Sequence, residues 1–427
     1  MVETLRYQHG RPPPLTTTHN LRINGERLWG SLIEMARVGG TPRGGCNRQT
    51  LTPEDRQGRL LFKRWCEEAG MSVRVDRLGS MFARFEGREN LAPIVIGSHL
   101  DTQPTGGKFD GVLGVLAGLE AVRCLRESGY TPRRPIEIVN WTNEEGCRFT
   151  PVMMGSSVFA GVFPLELALT ARDAQGAILA DELAKMELTC DAPMGGREIA
   201  AYLELHIEQG PILEDGGYDI GFVSGGQGHK WYDVELSGYE QRAGTTPMPV
   251  RRDALVGAAY LISEIRRIGL DFAPLGVATV GFIQARPNSR NVIPGEVLMS
   301  VDLRHPDGDC LAAMHEAFVA ALEATRDRFQ LDGKQNCVSE HAPVSFDARL
   351  LDVVRRISGD LGLRGRDIIS GAGHDAFHLA RISPTAMIFT PCRGGVSHNE
   401  SEDITREWAT NGATVLLRTA LELAETL

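Results

Sequence analysis

Apolar runs that stop at a histidine or an acidic residue recur along this chain. Pro93-Ile94-Val95-Ile96-Gly97-Ser98 ends at His99, and Ile136-Glu137-Ile138-Val139-Asn140-Trp141 stops just short of Glu144. Tyr202-Leu203-Glu204-Leu205 leads into His206, and Ala386-Met387-Ile388-Phe389-Thr390 precedes His398 by one loop. Short apolar runs bounded by turn residues read as buried strands. Alternating with helical patterns, they predict an α/β fold whose mixed, mainly parallel sheet is flanked by helices. Ligands of such sheets bind beyond the carboxyl ends of the strands, where these residues fall.

Between His99 and the next periodic segment lies Gly106-Gly107-Lys108-Phe109-Asp110-Gly111, a turn able to bring Asp110 back toward the same strand end. Residues 112–125 then alternate small and large apolar side chains at helical spacing. The turn matches neither GxGxxG nor GxxxxGK[ST], so it reads as a metal loop rather than a phosphate cradle. From about residue 214 the pattern changes to strands separated by glycine turns, at 231–236, 276–282 and 297–303, with one amphipathic segment at 254–268. An α+β domain inserted over 214–329 follows, leaving 1–213 and 330–427 as one discontinuous metal-binding catalytic domain.

Composition narrows the partners. The chain has 427 residues, 42% hydrophobic and 23% charged, which is ordinary for a globular protein of two domains. A net charge of -10 gives no general attraction to nucleic acid or an anionic membrane, so a small molecule is the expected partner. No stretch approaches the roughly 20 apolar residues of a membrane span, and residues 1–18 hold no signal-like apolar core. Eight cysteines lie far apart with no CxxC pair, the usage of reduced, buried thiols in a cytoplasmic protein. Cys147, beside Glu144-Glu145, reads as core filler before it reads as a nucleophile.

The chemistry lies in His99-Leu100-Asp101, Asp110, Glu144-Glu145, His206 and His398. These imidazoles and carboxylates form the mixed N/O set that holds one or two divalent ions and activates water, so hydrolysis is the first reading. Taken singly, each has a plainer role: Asp101 or Asp110 as a turn or cap, Glu144-Glu145 as a solvated loop start. His9, His19, His315 and His341 read as structural histidines.

Eight segments in order resemble one family. They are Gly97-Ser98-His99-Leu100-Asp101-Thr102, Gly106-Gly107-Lys108-Phe109-Asp110-Gly111, Asn143-Glu144-Glu145-Gly146, Glu204-Leu205-His206-Ile207-Glu208-Gln209-Gly210, Ala243-Gly244-Thr245-Thr246-Pro247-Met248, Asn291-Val292-Ile293-Pro294-Gly295, Gly371-Ala372-Gly373-His374-Asp375-Ala376 and Gly394-Gly395-Val396-Ser397-His398. The chain thus resembles the metal-dependent amidohydrolases of hydantoinase/carbamoylase type in the M20 metallopeptidase-like superfamily. The resemblance implies two divalent ions per subunit, zinc or manganese before cobalt or nickel, bridged by Asp110. His99 and His206 would hold one ion and Glu145 and His398 the other. Glu144 would be the general base for a bridging water, and Asp101 the partner of His99. It also implies that the inserted domain acts as lid and homodimer interface, and that Asn291 and Arg304 hold a substrate carboxylate, with Gln209 a further contact.

The implied reaction is cleavage of the ureido C–N bond of an N-carbamoyl amino acid or similar ureido acid. An aminoacylase or dipeptidase of the same superfamily, or a non-catalytic binding homologue, are the alternatives. One departure stands out: the family usually has His before Ala-Gly-Thr-Thr-Pro, where this chain has Arg242. Its permanent charge and longer fork could replace the His, bind an anionic group or point away.

Overall fold

The four apolar runs are neighbouring strands of one sheet. The computed structural model describes residues 20–427, so the expectations for the N-terminal tail, with His9 and His19, lie outside the described residues. In a nine-stranded sheet, seven strands lie in the order Ser72–Val75, Met81–Phe85, Ile136–Trp141, Ile94–His99, Ala201–Ile207, Thr385–Thr390 and Ile220–Gly226. The central four run parallel, and antiparallel strands flank them on both sides. Each of the four is buried along its whole length, which is why it reads as a continuous apolar run rather than an alternating one. The helix Val112–Glu127 packs on this sheet and is itself covered by Gly25–Arg37 and Arg406–Thr426. That cover explains its apolar surface on all sides. Its one buried acid, Glu120, takes the Arg27 guanidinium at 2.7 Å.

The chain divides into two compact units. The larger comprises the described residues up to Ser224, with Phe346–Ile368 and Gly373–Leu427; the smaller is Gly225–Ser345 with Ile369–Ala372. Residues 214–224 therefore pack with the larger unit and 330–345 with the smaller, which corrects the boundaries read from the sequence. The cause is local: Ile220–Gly226 is a strand of the large sheet, and Asp332–His341 pairs with Gly228–Ser237 in the small one.

The smaller unit is a five-stranded antiparallel sheet carrying two helices, Ala254–Asp271 and Gly308–Phe329, where the pattern had suggested only the first. Val234, Leu236, Val297, Met299, Val301 and Leu303 alternate inward to meet Leu261, Ile265, Met314 and Phe318 from the helices. The segment expected as one strand over 276–282 is two, Val277–Thr279 and Ile283–Arg286. Thr279 faces Asp302 and Ile283 faces Met299, so four steps on one strand meet three on the other and a bulge separates the pieces. Among the described residues, no helix is long and apolar enough to cross a membrane.

Candidate metal centre

Parallel strands present their carboxyl ends on one edge, and that edge gathers the chemistry. His99 is the last residue of its strand, His206 the last but one of the next, and Glu144-Glu145 follow the third. Asp110 returns through the glycine turn to the start of the helix Val112–Glu127. Gly111 there has φ +68°, and a Cβ on it would lie 2.3 Å from His99 Nε2. Only glycine lets the turn close over the imidazole.

Asp110 stands at the middle. Its Oδ1 is 3.1 Å from His206 Nε2 and 3.7 Å from His99 Nε2, and its Oδ2 is 3.3 Å from His398 Nε2. Glu145 Oε2 lies 3.3 Å from that same His398 nitrogen. His99, Asp110 and His206 form one potential ion-holding group and Asp110, Glu145 and His398 a second, the ligand atoms of each within 4.8 Å of one another. His99 Nδ1 lies 2.9 Å from the Asp101 carbonyl and His206 Nδ1 2.9 Å from that of Ile207. A carbonyl only accepts, so each Nδ1 carries the hydrogen and Nε2 is the nitrogen turned toward Asp110.

Asp101 takes the backbone N–H of both Glu144 and Glu145, at 3.3 Å each, and so shapes the tip that carries them. Glu144 Oε2 lies 3.5 Å from His99 Nε2 but belongs to neither group. A third combination, Glu204, His206 and His374, overlaps the first. Its Glu204 is already hydrogen-bonded by Ser98, Tyr202 and the Ala376 N–H. In the smaller unit His305, Asp307 and Cys310 also lie close, but His305 Nδ1 accepts the Asp307 N–H and Asp307 caps a helix.

The donor set fits divalent cations. Burial raises Glu144 well above the usual carboxylate range, and the charges of Asp375 and Glu145 add to the effect. Burial and Asp110 push Glu145 up to about 8, and burial with Asp55 lifts Asp101 to about 7. Burial works against ionised Asp110, yet hydrogen bonds from His206 and His398 hold it well below the usual range. His206 reaches about 9 because its bond to Asp110 outweighs burial; His398 reaches about 9 through the same carboxylate. Burial lowers His99 to about 4, leaving it neutral. Carboxylates so short of positive charge are what bound cations relieve. Gln209 Oε1, beside them, is buried without a hydrogen-bond partner.

Several neighbours were not among the expected site residues. Gln103 donates to Glu145 Oε2 at 2.7 Å, and Ser397 Oγ lies 3.0 Å from Asp110 Oδ2. Glu402 accepts the N–H groups of Phe109 and Asp110. Asn143, at φ +58°, donates to the Phe149 and Pro151 carbonyls and turns the chain after its strand; its place before Glu-Glu-Gly was the one available hint.

The residues assigned to substrate divide between the units. Gln209 sits in the metal cluster, donating to Asp110 Oδ2 at 2.9 Å and to Ser397 at 3.0 Å. In the smaller unit Arg304 is oriented by Asp302 at 2.9 Å, donates to the Gly371 carbonyl and lies over the Trp231 ring. Arg242 and Asn291 share a two-stranded ribbon: Arg242 pairs with Val292, and the Asn291 carbonyl accepts the Ala243 N–H. Both are exposed.

All eight cysteines are free, but Cys147, Cys190 and Cys337 are exposed rather than buried. Cys147 is therefore not core filler. Partial burial and the charges of Asp101 and Glu145 push its thiol up to about 12, which leaves it a poor nucleophile.

Residues 95–422 match peptidase family M20/M25/M40. An N-carbamoyl-L-amino-acid amidohydrolase of Rhizobium meliloti is 47% identical over 95% of this chain and 98% of its own length. An allantoate amidohydrolase of Bacillus subtilis is 34% identical over 86% and 90%. The crystal structure of a hydantoinase/carbamoylase family amidase from Burkholderia multivorans superposes with TM-score 0.92 at 50% identity, covering 95% of this chain and 98% of that one. The chain belongs to the M20/M25/M40 peptidase family and, within it, to the hydantoinase/carbamoylase amidases.

Proposed function

We propose that the protein is a dinuclear metal-dependent amidohydrolase that cleaves the ureido C–N bond of an N-carbamoyl amino acid or similar ureido acid. The observation that carries this reading is the convergence of His99 and His206 on one oxygen of Asp110 and of His398 on the other, with Glu145 beside it. His99, His206 and Asp110 would hold one ion, and Asp110, Glu145 and His398 the second. The donors suit zinc or manganese, and also cobalt or nickel. Bound there, the ions supply Lewis acidity toward water and the scissile carbonyl. Glu144, which belongs to neither group, would take a proton from the attacking water and pass it to the departing nitrogen. Asp101 holds His99 and the Glu144 backbone in place.

Arg304 and Asn291 would hold the substrate carboxylate, with Gln209 and Arg242 as further contacts. Arg304 suits the task because Asp302 already orients its fork. The smaller unit would serve as lid and homodimer interface, and the protein would work in the cytoplasm. A turnover screen tests the whole reading: N-carbamoyl-L-amino acids, N-carbamoyl-β-alanine, allantoate and ureidoglycolate, with added manganese or zinc. Ammonia release from at least one ureido acid is expected. Turnover of N-acyl or peptide substrates alone would replace the reading with an aminoacylase or dipeptidase, and tight ligand binding with no turnover at all would make it a binding protein.

A further inference from the structure

Glu402 is almost completely buried, follows His398 by four residues in the same loop, and lies outside every ligand set described above. Its carboxylate touches both the loop that carries Asp110 and the loop that carries His398. Oε1 accepts the backbone N–H of Phe109 at 2.9 Å and of Asp110 at 3.1 Å, which sets the Asp110 loop. Oε2 lies 3.4 Å from the hydroxyl of Ser397, the residue before His398. Ser397 in turn stands 3.0 Å from Asp110 Oδ2 and accepts from Gln209 at 3.0 Å. Its single hydroxyl hydrogen can serve only one carboxylate at a time, and Asp110 is the nearer.

A second observation points the same way. A Cβ on Gly107 would lie 2.0 Å from the Glu402 carboxyl carbon, so the glycine leaves the space this carboxylate fills. The loop is tied once more on its far side, where Thr41 donates to Glu400 at 2.6 Å.

We propose that Glu402 is a positioning residue that holds Asp110 and the His398 loop in register, and that the ion position of Asp110, Glu145 and His398 depends on it more than the position of His99, His206 and Asp110. The inference rests on the dinuclear reading given above. Its asymmetry follows from the elements: His99 and His206 are strand residues with their rings already fixed by carbonyls, whereas His398 is borne by a loop. Losing an outer partner of a metal ligand typically weakens the metal roughly 10–100-fold.

Manganese binding to the purified full chain by equilibrium dialysis tests this, with thermal melting as the control for folding. Wild type should bind two equivalents; fewer would overturn the dinuclear reading and this proposal with it. Glu402→Ala should keep its first equivalent within about threefold of wild type and bind the second roughly 10–100-fold more weakly. Glu402→Gln should recover most of that loss, because its amide can accept the two N–H groups and donate to Ser397. Two equivalents bound by Glu402→Ala with wild-type affinities would overturn the proposal, as would equal weakening of both with no recovery in Glu402→Gln. Should Glu402→Ala fail to fold, Gly107→Ala decides: selective weakening of the second equivalent supports the proposal, and unchanged affinities overturn it.

Discussion

The two candidate ion positions share Asp110 and differ in what holds the rest. His99 and His206 are about 1% exposed, sit on parallel neighbouring elements of the sheet, and keep their ring orientation through backbone carbonyls. His398 has a side chain 51% exposed, a backbone φ of +51° and a loop for support, while its partner Glu145 depends on Asp101 and Gln103. Secondary structure pre-pays the ordering of the first half, and tertiary contacts alone order the second. The second position should therefore be the weaker and more exchangeable one.

The sharpest test of the shared centre is Asp110→Asn. With one charge removed from both positions, metal content measured by elemental analysis should fall from two equivalents to below one, and turnover by more than about 10³-fold; two retained equivalents would dissolve the bridge. Glu144→Gln separates chemistry from both halves: about 10²–10⁴-fold slower turnover is expected with metal content nearly intact. Metal loss instead would make Glu144 a ligand.

His206→Ala and His398→Ala compare the halves directly. Dialysed against limiting metal, His398→Ala should retain one equivalent and His206→Ala almost none. The reverse order would break the comparison.

The smallest effect is in the pH dependence. Without ions, His206 holds its proton up to about 9, whereas His398 and Glu145 hold theirs up to about 9 and about 8. Binding must displace those protons, so affinity falls as pH drops. Below pH 8 the slope should be about tenfold per pH unit at the first position and up to about 100-fold at the second. Proton release measured by calorimetry in two buffers reads it. Equal slopes would mean that the two positions titrate as one.

Much of the larger unit was legible because fully buried parallel strands must be apolar throughout, and a charged residue at such a strand's end has few structural reasons to be there. His99, His206 and the Glu144-Glu145 pair were found on that ground. The smaller unit read less well. Asp332–His341 is polar and mostly exposed, so no alternation marked it, and the domain boundary was drawn before it instead of after. The helix Gly308–Phe329 went unread for a related reason: its buried stripe of Leu311, Met314, Phe318 and Leu322 is interleaved mostly with alanines, so no sharp polar face set it off.

Periodicity and residue chemistry along the chain determined the strands, the metal-binding character of their ends and the family. Distance in space was decided only by the fold. Glu402 meets Asp110 across 292 positions and Gln209 meets Ser397 across 188, and no local pattern encodes either contact. Which oxygen of Asp110 faces which histidine, and which half of the centre rests on a loop, follow from strand order and loop packing. These are properties of the assembled sheet rather than of any segment within it.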